Sequence, residues 1–202
     1  MSWVRKTGVS LVAGGALLCA AGLGTAAYGR VMARVEVARF RAQGGAAALW
    51  DAKRIQAYEK TLHMKFDPPL AVLRVPAVGI EAPVLEGTSD AAMNRGVGHI
   101  EGSALPGEIG NVGIAGHRDG FFRALKDVQV GEIVELERRT DTGMQRDEYK
   151  VERISVVEPS DVSVMRATTD STLTLVTCYP FYFVGTAPQR FVVQAVKTDS
   201  RQ

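Results

Sequence analysis

The chain has 202 residues, of which 46% are hydrophobic and 23% are charged, and this composition excludes an intrinsically disordered protein. Its formal net charge is +2, and acidic and basic residues are intermixed along the sequence. This distribution argues against nucleic acid as a partner, since nucleic-acid-binding proteins carry a concentrated basic face.

The first distinctive segment is the uncharged stretch GVSLVAGGALLCAAGLGTAAY, residues 8–28. Because about 20 apolar residues span a bilayer, it predicts an N-terminal transmembrane helix at about 8–28, in a membrane anchor of residues 1–30. A cleaved signal peptide, with Ala26-Ala27 in its cleavage site, is the alternative, but its apolar run would be shorter. Arginines that follow the span weakly favour a cytoplasmic domain by the positive-inside rule.

Residues 31–66 form a predicted helical stalk or linker. The part from 31 to 63 is rich in alanine, leucine, arginine and glutamate, which are good helix formers. Gly44-Gly45 is expected to break or kink it. Two arrangements are open, because this helix either lifts the following domain off the membrane or packs against that domain.

At Asp67-Pro68-Pro69 the pattern changes to short β-like runs separated by turn residues, and this change sets the start of a domain over residues 67–202. The predicted strands are 70–75, 80–85, 110–116, 131–138, 148–158, 172–178 and 189–197. Short helices are predicted at 89–94 and 120–125. The alternation and spacing of the strands indicate a mainly β fold, a closed or nearly closed β-barrel.

Cys178 ends the predicted strand TLVTC, and the chain's other cysteine, Cys19, lies within the uncharged stretch. Tyr179-Pro180 follows, and proline ends a strand because it cannot donate to the ladder. A free cysteine often behaves as a small core residue. A thiol at a strand end can instead face a groove and act as a nucleophile, provided that a neighbouring base assists it.

The chain has three histidines as candidate bases. His63 falls in the helical segment, His99 lies between glycines in a predicted loop, and His117 lies at a strand end in GNVGIAGHRDGF. Arg190 opens the last predicted strand, and a turn after Cys178 would return the chain as an antiparallel neighbour with Arg190 nearby. An arginine there would stabilise a negative oxygen. On the residues alone, a structural histidine and a surface arginine remain equally open.

Two further patterns argue against phosphate and metal sites. The glycines at positions 107, 110, 113 and 116 are followed neither by a P-loop lysine nor by a long helix, so they indicate turns and tight packing. The histidines lack metal-ligand spacing, and we expect neither a metal nor another cofactor. A calcium site made of the loop acids Asp161, Asp170 and Glu158 remains open.

Three segments in order, GHRDGFFRAL, TLVTC and APQRFVV, resemble the histidine, cysteine and arginine segments of sortases. The stretches VPAVGIEAPVLEG, GVGHIEGSALPGEIGNVGIAGHRD and CYPFYFVGTAPQRF extend the similarity over about residues 70–198. They look most like class D sortases, including those of Gram-negative bacteria. The resemblance implies an eight-stranded sortase-type β-barrel.

The resemblance also implies a cysteine transpeptidase that cleaves an LPxTG-like sorting signal. Cys178 would attack the Thr–Gly bond and form a thioacyl-enzyme, His117 would act as general acid and base, and Arg190 would stabilise the oxyanion or position the substrate. Thr177 would contact the substrate backbone, and the 154–171 segment would form the wall of the peptide groove. Apolar contacts there would come from Val162, Val164 and Met165.

The implied partners are the sorting-signal peptide of secreted surface proteins and an amine acceptor, either a peptidoglycan precursor or a pilin lysine. The implied location is the cytoplasmic membrane, with a single span and the catalytic domain on the extracytoplasmic side, against the local charge count. Pilus-polymerising relatives carry a lid with Asp-Pro-aromatic. Here Pro69 follows Asp67-Pro68 just before the first strand, so we expect no lid.

Two other functions remain as alternatives. One is another cell-wall cysteine acyltransferase of the L,D-transpeptidase kind, although the Ser-His-Gly-Cys cluster of those enzymes is absent from this sequence. The other is a non-catalytic, membrane-tethered β-barrel in which Cys178 is a core residue and Arg190 a surface residue. The reactivity of the thiol separates this last alternative from the enzymes, because a buried thiol resists labelling until the protein unfolds.

Overall fold

The computed structural model of the protein describes residues 50–182, 185 and 187–198. The predicted membrane anchor and the larger part of the predicted stalk lie outside these residues. Among the residues described, no helix combines the length and the apolar character that a membrane span requires.

Eight strands of the described chain form a closed barrel in the order β1-β2-β3-β4-β7-β8-β6-β5. They are β1 (Ala71–Val75), β2 (Ile80–Glu86), β3 (Val97–His99), β4 (Asn111–Gly116), β5 (Ile133–Thr140), β6 (Gly143–Val157), β7 (Thr172–Tyr179) and β8 (Gln189–Lys197). The pairs β2–β3 and β4–β7 are parallel, and the other neighbours are antiparallel. The expected mainly β, eight-stranded barrel is confirmed.

Short helices connect or precede the strands in this part of the chain. They are the α-helices α1 (Ala52–Thr61) and α2 (Asp90–Arg95) and the 3₁₀-helices Pro76–Val78, Phe121–Asp127 and Val162–Met165. The two helices predicted within the barrel domain are both present, the second of them as a 3₁₀-helix. The helix Val162–Met165 lies in the segment predicted to be a groove wall.

The barrel interior is filled by every second residue of the strands, as the two-residue period of a β-strand requires. In β1, for example, Ala71, Leu73 and Val75 are buried and the residues between them are partly exposed. Phe122 of the 3₁₀-helix Phe121–Asp127 joins the same core and is fully buried. Because β4 and this helix are both held by the core, the residues between them, 117–120, are fixed in position.

Strand β3 has no counterpart among the predicted strands. It has three residues and contains Gly98, where a Cβ atom would lie 2.3 Å from the carbonyl oxygen of Gly87. His99 is therefore a buried strand residue and not the expected loop residue. Its Nδ1 lies 3.2 Å from Oε1 of Glu86 and its Nε2 lies 3.1 Å from the carbonyl oxygen of Ala104, so both ring nitrogens are used inside the fold.

Helix α1, the described part of the segment predicted to be a helical stalk, packs against the barrel domain. Asp51 caps the helix, because its Oδ1 accepts a hydrogen bond of 2.8 Å from the backbone N–H of Arg54. Trp50 and Tyr58 pack edge-on against Phe121, with ring centroids 4.8 and 6.2 Å away. The helix is thereby anchored beside the segment that follows β4.

Candidate active site

The ends of three neighbouring strands bring His117, Cys178 and Arg190 together at one end of the barrel. In the parallel pair β4–β7, Gly116 lies opposite Thr177, and the next residues of the two segments are His117 and Cys178. In the antiparallel pair β7–β8, Cys178 lies directly opposite Arg190. The three residues predicted to form the catalytic site are thus adjacent in space, in the order histidine, cysteine, arginine.

Cys178 lies on the outer face of β7 and is partly exposed. Leu173 and Leu175 belong to the core, so the two-residue alternation directs Thr177 inward and Cys178 outward. Among the described residues no hydrogen bond joins this thiol to the ring of His117. Catalytic hydrogen bonds are often long in a free enzyme and shorten only when the substrate binds. The lack of a direct hydrogen bond between Cys178 and His117 is therefore compatible with a nucleophile and its base.

Arg190 lies on the outer face of β8, because Val193 and Ala195 of the same strand occupy the core. Its Nη1 donates hydrogen bonds to the carbonyl oxygens of Gln189 and Ala187, at 3.0 and 3.3 Å. These bonds fasten the guanidinium to the start of β8 and to the end of the connection that precedes it. A guanidinium has five N–H donors, and both of these bonds use the same nitrogen, so the group has the capacity to bind an oxyanion as well.

His117 begins a turn that is closed by a 3.0 Å hydrogen bond from the N–H of Gly120 to the carbonyl of His117. Its side chain is 23% exposed, and its Nε2 lies 4.0 Å from Oδ1 of Asp90. Burial lowers the pKa of His117, and the charge of Arg54 lowers it further, against the opposing charges of Asp119 and Asp90. The neutral imidazole, which can accept a proton, is therefore favoured near neutral pH.

Thr177 precedes the thiol and connects β7 to β4. The residue is buried, and its Oγ1 donates a hydrogen bond of 2.7 Å to the carbonyl oxygen of Gly116, the residue before His117. The predicted contact of Thr177 with a substrate stays a prediction. Its hydroxyl is already used within the barrel, where it holds the ends of the two strands that carry the histidine and the cysteine.

The Thr177→Val variant is expected to unfold more easily than the wild type, by about 1–3 kcal/mol, because valine keeps the shape but leaves the Gly116 carbonyl without its buried donor. Urea denaturation followed by circular dichroism measures this difference. Thr177→Ser is the matched control, since it keeps the hydroxyl and should retain most of the lost stability. Equal stability of the valine and serine variants would show that the hydrogen bond does not matter.

The outer faces of β4, β7 and β8 form a strip of small apolar side chains that leads to Cys178. Ala115 lies opposite Val176 in the β4–β7 pair, and Val176 lies opposite Val192 in the β7–β8 pair. Ala115 and Val176 are partly exposed, and Val192 is buried. A strip of small apolar side chains is suited to contact with the apolar part of an extended peptide.

The 3₁₀-helix Val162–Met165 is anchored at the other end of this strip by a buried amide. Nδ2 of Asn111 donates hydrogen bonds to the carbonyl oxygens of Val164 and Arg166, at 3.2 and 3.1 Å. Oδ1 of Asn111 accepts a 2.8 Å hydrogen bond from Oγ1 of Thr174. Asn111 was not identified as an anchor from the sequence. The one feature that could have indicated it is that Asn111 is a polar residue at the start of an otherwise apolar strand.

Two further contacts hold the same 3₁₀-helix. Nε2 of Gln194 donates to the carbonyl of Val164 at 3.3 Å, and Met165 lies so close to β4 that a Cβ on Gly113 would come within 2.2 Å of its Cε. Gly113 is thus a tight-packing position, as expected. Val162 is 75% exposed. The substrate contacts expected of Val162, Val164 and Met165 stay predictions.

Two arginines that follow His117 hold the connection between β7 and β8. Arg118 donates hydrogen bonds to the carbonyl oxygens of Pro180 and Gly185, at 3.0 and 2.9 Å. Arg123 donates to the carbonyl oxygen of Phe181 at 2.9 Å. The histidine turn and the cysteine–arginine hairpin are therefore tied together, which the sequence did not indicate.

In the described part of the chain, no group of three histidine, cysteine, aspartate or glutamate side chains is arranged to hold a metal ion. Glu158, Asp161 and Asp170, the acids left open as a calcium site, do not form such a group. Asp161 caps the helix Val162–Met165 instead, because its Oδ1 accepts a 3.0 Å hydrogen bond from the N–H of Ser163.

Comparison with known proteins identifies the family of this domain. Residues 73–198 match the sortase domain. Sortase D of Bacillus subtilis (strain 168) is 32% identical over 123 residues, which are 60% of this chain and 60% of that protein. The match therefore spans less than two thirds of the length of this curated relative.

Solved structures show the same similarity. A Clostridium perfringens sortase D5 transpeptidase is 28% identical, with a TM-score of 0.58 over 71% of this chain and 88% of that chain. Sortase C-1 from Actinomyces oris is 27% identical, with a TM-score of 0.58 over 71% of this chain and 80% of that chain. The sortase domain covers more than half of the sequence, and the chain therefore belongs to the sortase family.

Proposed function

We propose that the protein is a cysteine transpeptidase that cleaves an LPxTG-like sorting signal and transfers the cleaved protein to an amine. One observation carries this proposal. Cys178 lies opposite Arg190 in the β7–β8 pair and next to the end of β4, where His117 follows. The proposed nucleophile, the proposed base and a permanent cation thus lie together at one end of the barrel, beside the apolar strip.

In the first half of the proposed reaction, the neutral imidazole of His117 takes the proton of the Cys178 thiol. The sulfur, now the thiolate, attacks the carbonyl carbon of the signal's threonine. An S–C bond forms and the carbonyl oxygen becomes an oxyanion. When the oxyanion collapses, the C–N bond to glycine breaks and His117 donates a proton to the leaving amine. The product is a thioester between Cys178 and the substrate, with the carboxyl-terminal fragment released.

In the second half, an amine attacks the thioester carbon and His117 accepts the proton that the amine loses. The new C–N bond forms, the C–S bond breaks and Cys178 leaves as the thiolate. No net oxidation or reduction occurs. The proton that His117 takes from the amine then returns to the Cys178 thiolate, which closes the cycle. The lowered pKa of His117 suits the steps in which it accepts a proton.

Arg190 is assigned to the oxyanion formed in both halves. A fixed cation aimed at the developing negative charge stabilises the transition state more than the neutral carbonyl of the substrate. The bonds from Nη1 to Gln189 and Ala187 support this role, because they hold the guanidinium in place before the substrate arrives.

The apolar leucine-proline part of the signal is assigned to the strip of Ala115 and Val176. The helix Val162–Met165 would be the wall at its end, with Val162, Val164 and Met165 as the contacting side chains. Its attachment through Asn111 supports this assignment, because a rigid wall loses little entropy when a peptide binds.

The remaining features are proposed on the resemblance and the N-terminal sequence. A helix at about 8–28 would anchor the chain in the cytoplasmic membrane, and the catalytic domain would face the extracytoplasmic side. The substrates would be secreted surface proteins that carry the sorting signal. The acceptor would be a peptidoglycan precursor or a pilin lysine.

Trapping the thioacyl-enzyme tests the proposal. The full-length chain is mixed with a library of peptides that vary around leucine-proline-x-threonine-glycine, without an added amine, and intact-protein mass spectrometry records the adducts. We expect a mass increase equal to the peptide up to its threonine, located on Cys178 by fragmentation. Scrambled peptides of the same composition are the control. Adducts of equal yield with scrambled peptides, or no adduct with any peptide, would refute the assignment.

A further inference from the structure

We propose that Arg54 of helix α1 is a positioning residue for His117, held on the 117–120 turn by Asp119 and Asn94. This inference deepens the proposed function and rests on it, because it assigns a residue that acts through the general acid and base. Helix α1 precedes residue 73, where the match to the sortase domain begins. Arg54, which would act through the general acid and base, therefore belongs to a segment outside the matched domain.

The guanidinium of Arg54 is held from two sides. Nη2 lies 2.8 Å from Oδ1 of Asp119, which belongs to the turn that begins at His117, and Nη1 donates to Oδ1 of Asn94 in α2. The Arg54 side chain is only 14% exposed, so solvent screens its charge less than that of a surface arginine. A planar fork that bridges two elements fixes orientation as well as charge.

The position of Arg54 is set by the packing of α1. Trp50 and Tyr58 flank it in sequence, and their rings pack against each other with centroids 5.7 Å apart. Both also pack against Phe121, the residue that directly follows the histidine turn. The guanidinium of Arg95 lies over the ring of Tyr58 at 5.7 Å. The aromatic contacts thus fix the helix to the same segment that carries His117.

Arg54 and His117 meet at Gly120. A Cβ placed on Gly120 would lie 3.4 Å from Cδ of Arg54 and 3.4 Å from Cβ of His117. The N–H of Gly120 also closes the turn onto the carbonyl of His117, at 3.0 Å. The aliphatic part of Arg54 therefore packs on the turn whose geometry sets the direction of the histidine ring.

The charges that face His117 come from several elements. Arg54 of α1 is the cation, and Asp119 of the turn and Asp90 of α2 are the anions that act on it. The side chain of Asp90 is 92% exposed, so its charge is the most strongly screened. Cys178 of β7 and Arg190 of β8 lie on the neighbouring strands.

Removing Arg54 and removing the charge of Asp119 should shift the pKa of His117 in opposite directions. Burial lowers the pKa of His117 first, and Arg54 lowers it further, whereas Asp119 raises it. Without Arg54 the imidazolium loses a repulsive neighbour, and its pKa rises. Without the charge of Asp119 the imidazolium loses an attractive neighbour while Arg54 remains, and its pKa falls further. Mere loosening of the turn would expose the ring and raise the pKa in both cases.

The experiment measures this titration by NMR on the full-length chain. The ring protons of the three histidines are followed against pH, and His117→Gln identifies the signal of interest. Arg54→Gln is expected to shift the midpoint to higher pH and Asp119→Asn to lower pH. Arg54→Lys, which keeps the charge but not the fork, should stay close to the wild type. Arg139→Gln removes an exposed arginine of β5 and is the control for net charge.

Peptide cleavage adds a second readout. In Arg54→Gln the acidic limb of the pH profile of kcat/KM should move with the NMR midpoint, and kcat should fall by about 10-fold or more because the ring is less well oriented. An unchanged midpoint in Arg54→Gln, or shifts in the same direction in Arg54→Gln and Asp119→Asn, would overturn the proposal. The NMR measurement needs no turnover, so failure of the transpeptidase assignment would appear only in the thioacyl-trapping experiment.

Discussion

The Cys178→Ala variant is expected to fold like the wild type and to lose all peptide cleavage. The thiol lies on the outer face of β7 and is only partly buried, so its removal leaves no cavity in the barrel core and should cost well under about 1 kcal/mol of stability. The proposed reaction, however, has no other group that forms the thioester. Fluorescence-quenched sorting-signal peptides measure cleavage, and thermal unfolding followed by circular dichroism measures the fold.

The control for this variant is Cys178→Ser, which keeps a hydroxyl of similar size but a far weaker nucleophile at neutral pH. It should also be inactive and equally stable. Peptide cleavage that persists in Cys178→Ala at more than background would place the nucleophile elsewhere. A large drop in the unfolding temperature would show instead that Cys178 serves the fold, which is the non-catalytic alternative.

The Arg190→Ala variant is expected to lower kcat by about 10²–10³-fold, the loss of roughly 3–4 kcal/mol that follows removal of one oxyanion donor. Arg190→Lys should recover part of this loss, because lysine keeps the charge but presents it without the planar fork. Stopped-assay measurement of kcat and KM separates the roles, since an oxyanion donor acts on kcat, and a residue that only binds the peptide acts on KM.

A control for indirect effects is needed, because Arg190 also donates hydrogen bonds to the backbone carbonyls of Gln189, at the start of β8, and of Ala187, in the connection before it. Arg139→Ala, which removes an exposed arginine from β5, controls for net charge and should retain full activity. If Arg190→Ala kept nearly the full kcat, backbone N–H donors would be the oxyanion site. If only KM changed, Arg190 would be a peptide-binding residue.

The local part of the fold was largely predictable where strands show both alternation and turn residues, although β5 lies two residues later than the predicted 131–138. Strands β1, β2, β4, β7 and β8 begin and end within one residue of their predicted limits. Strand β6 was predicted too short, because its first residues, 143–146, are exposed on both faces and show no alternation. Strand β3 was missed because three residues around Gly98 are too few to show a period.

The arginine partner of Cys178 was predictable for a related reason. Antiparallel strands joined by a short connection are neighbours by default, so the spacing between Cys178 and Arg190 already indicated the pairing that the structure shows. The partnership with His117 is different. It depends on the parallel pairing of β4 with β7, which are separated by two other strands in the chain, and only the resemblance indicated it.

Asn111 and Arg54 show the limit of sequence reasoning most clearly. Neither has a motif, and each acts through contacts with residues far away in the chain, Asn111 through Val164 and Arg54 through Asp119. Helix propensity placed Arg54 on a helix but did not show which surface that helix covers. The aromatic packing of Trp50 and Tyr58 on Phe121 decides this, and packing of that kind depends on the whole domain.

The sequence alone was sufficient for the β class and the ends of most strands, because these depend on local period and turn chemistry. The three candidate catalytic residues were proposed from the resemblance to sortases, which rests on the order of three short motifs. The tertiary structure decided three other things: the parallel β4–β7 contact, the inward direction of Thr177 and the docking of α1 beside His117. The physical reason is the same in each case. These features arise from contacts between distant segments, whose free energy depends on the complete barrel and not on any one stretch of chain.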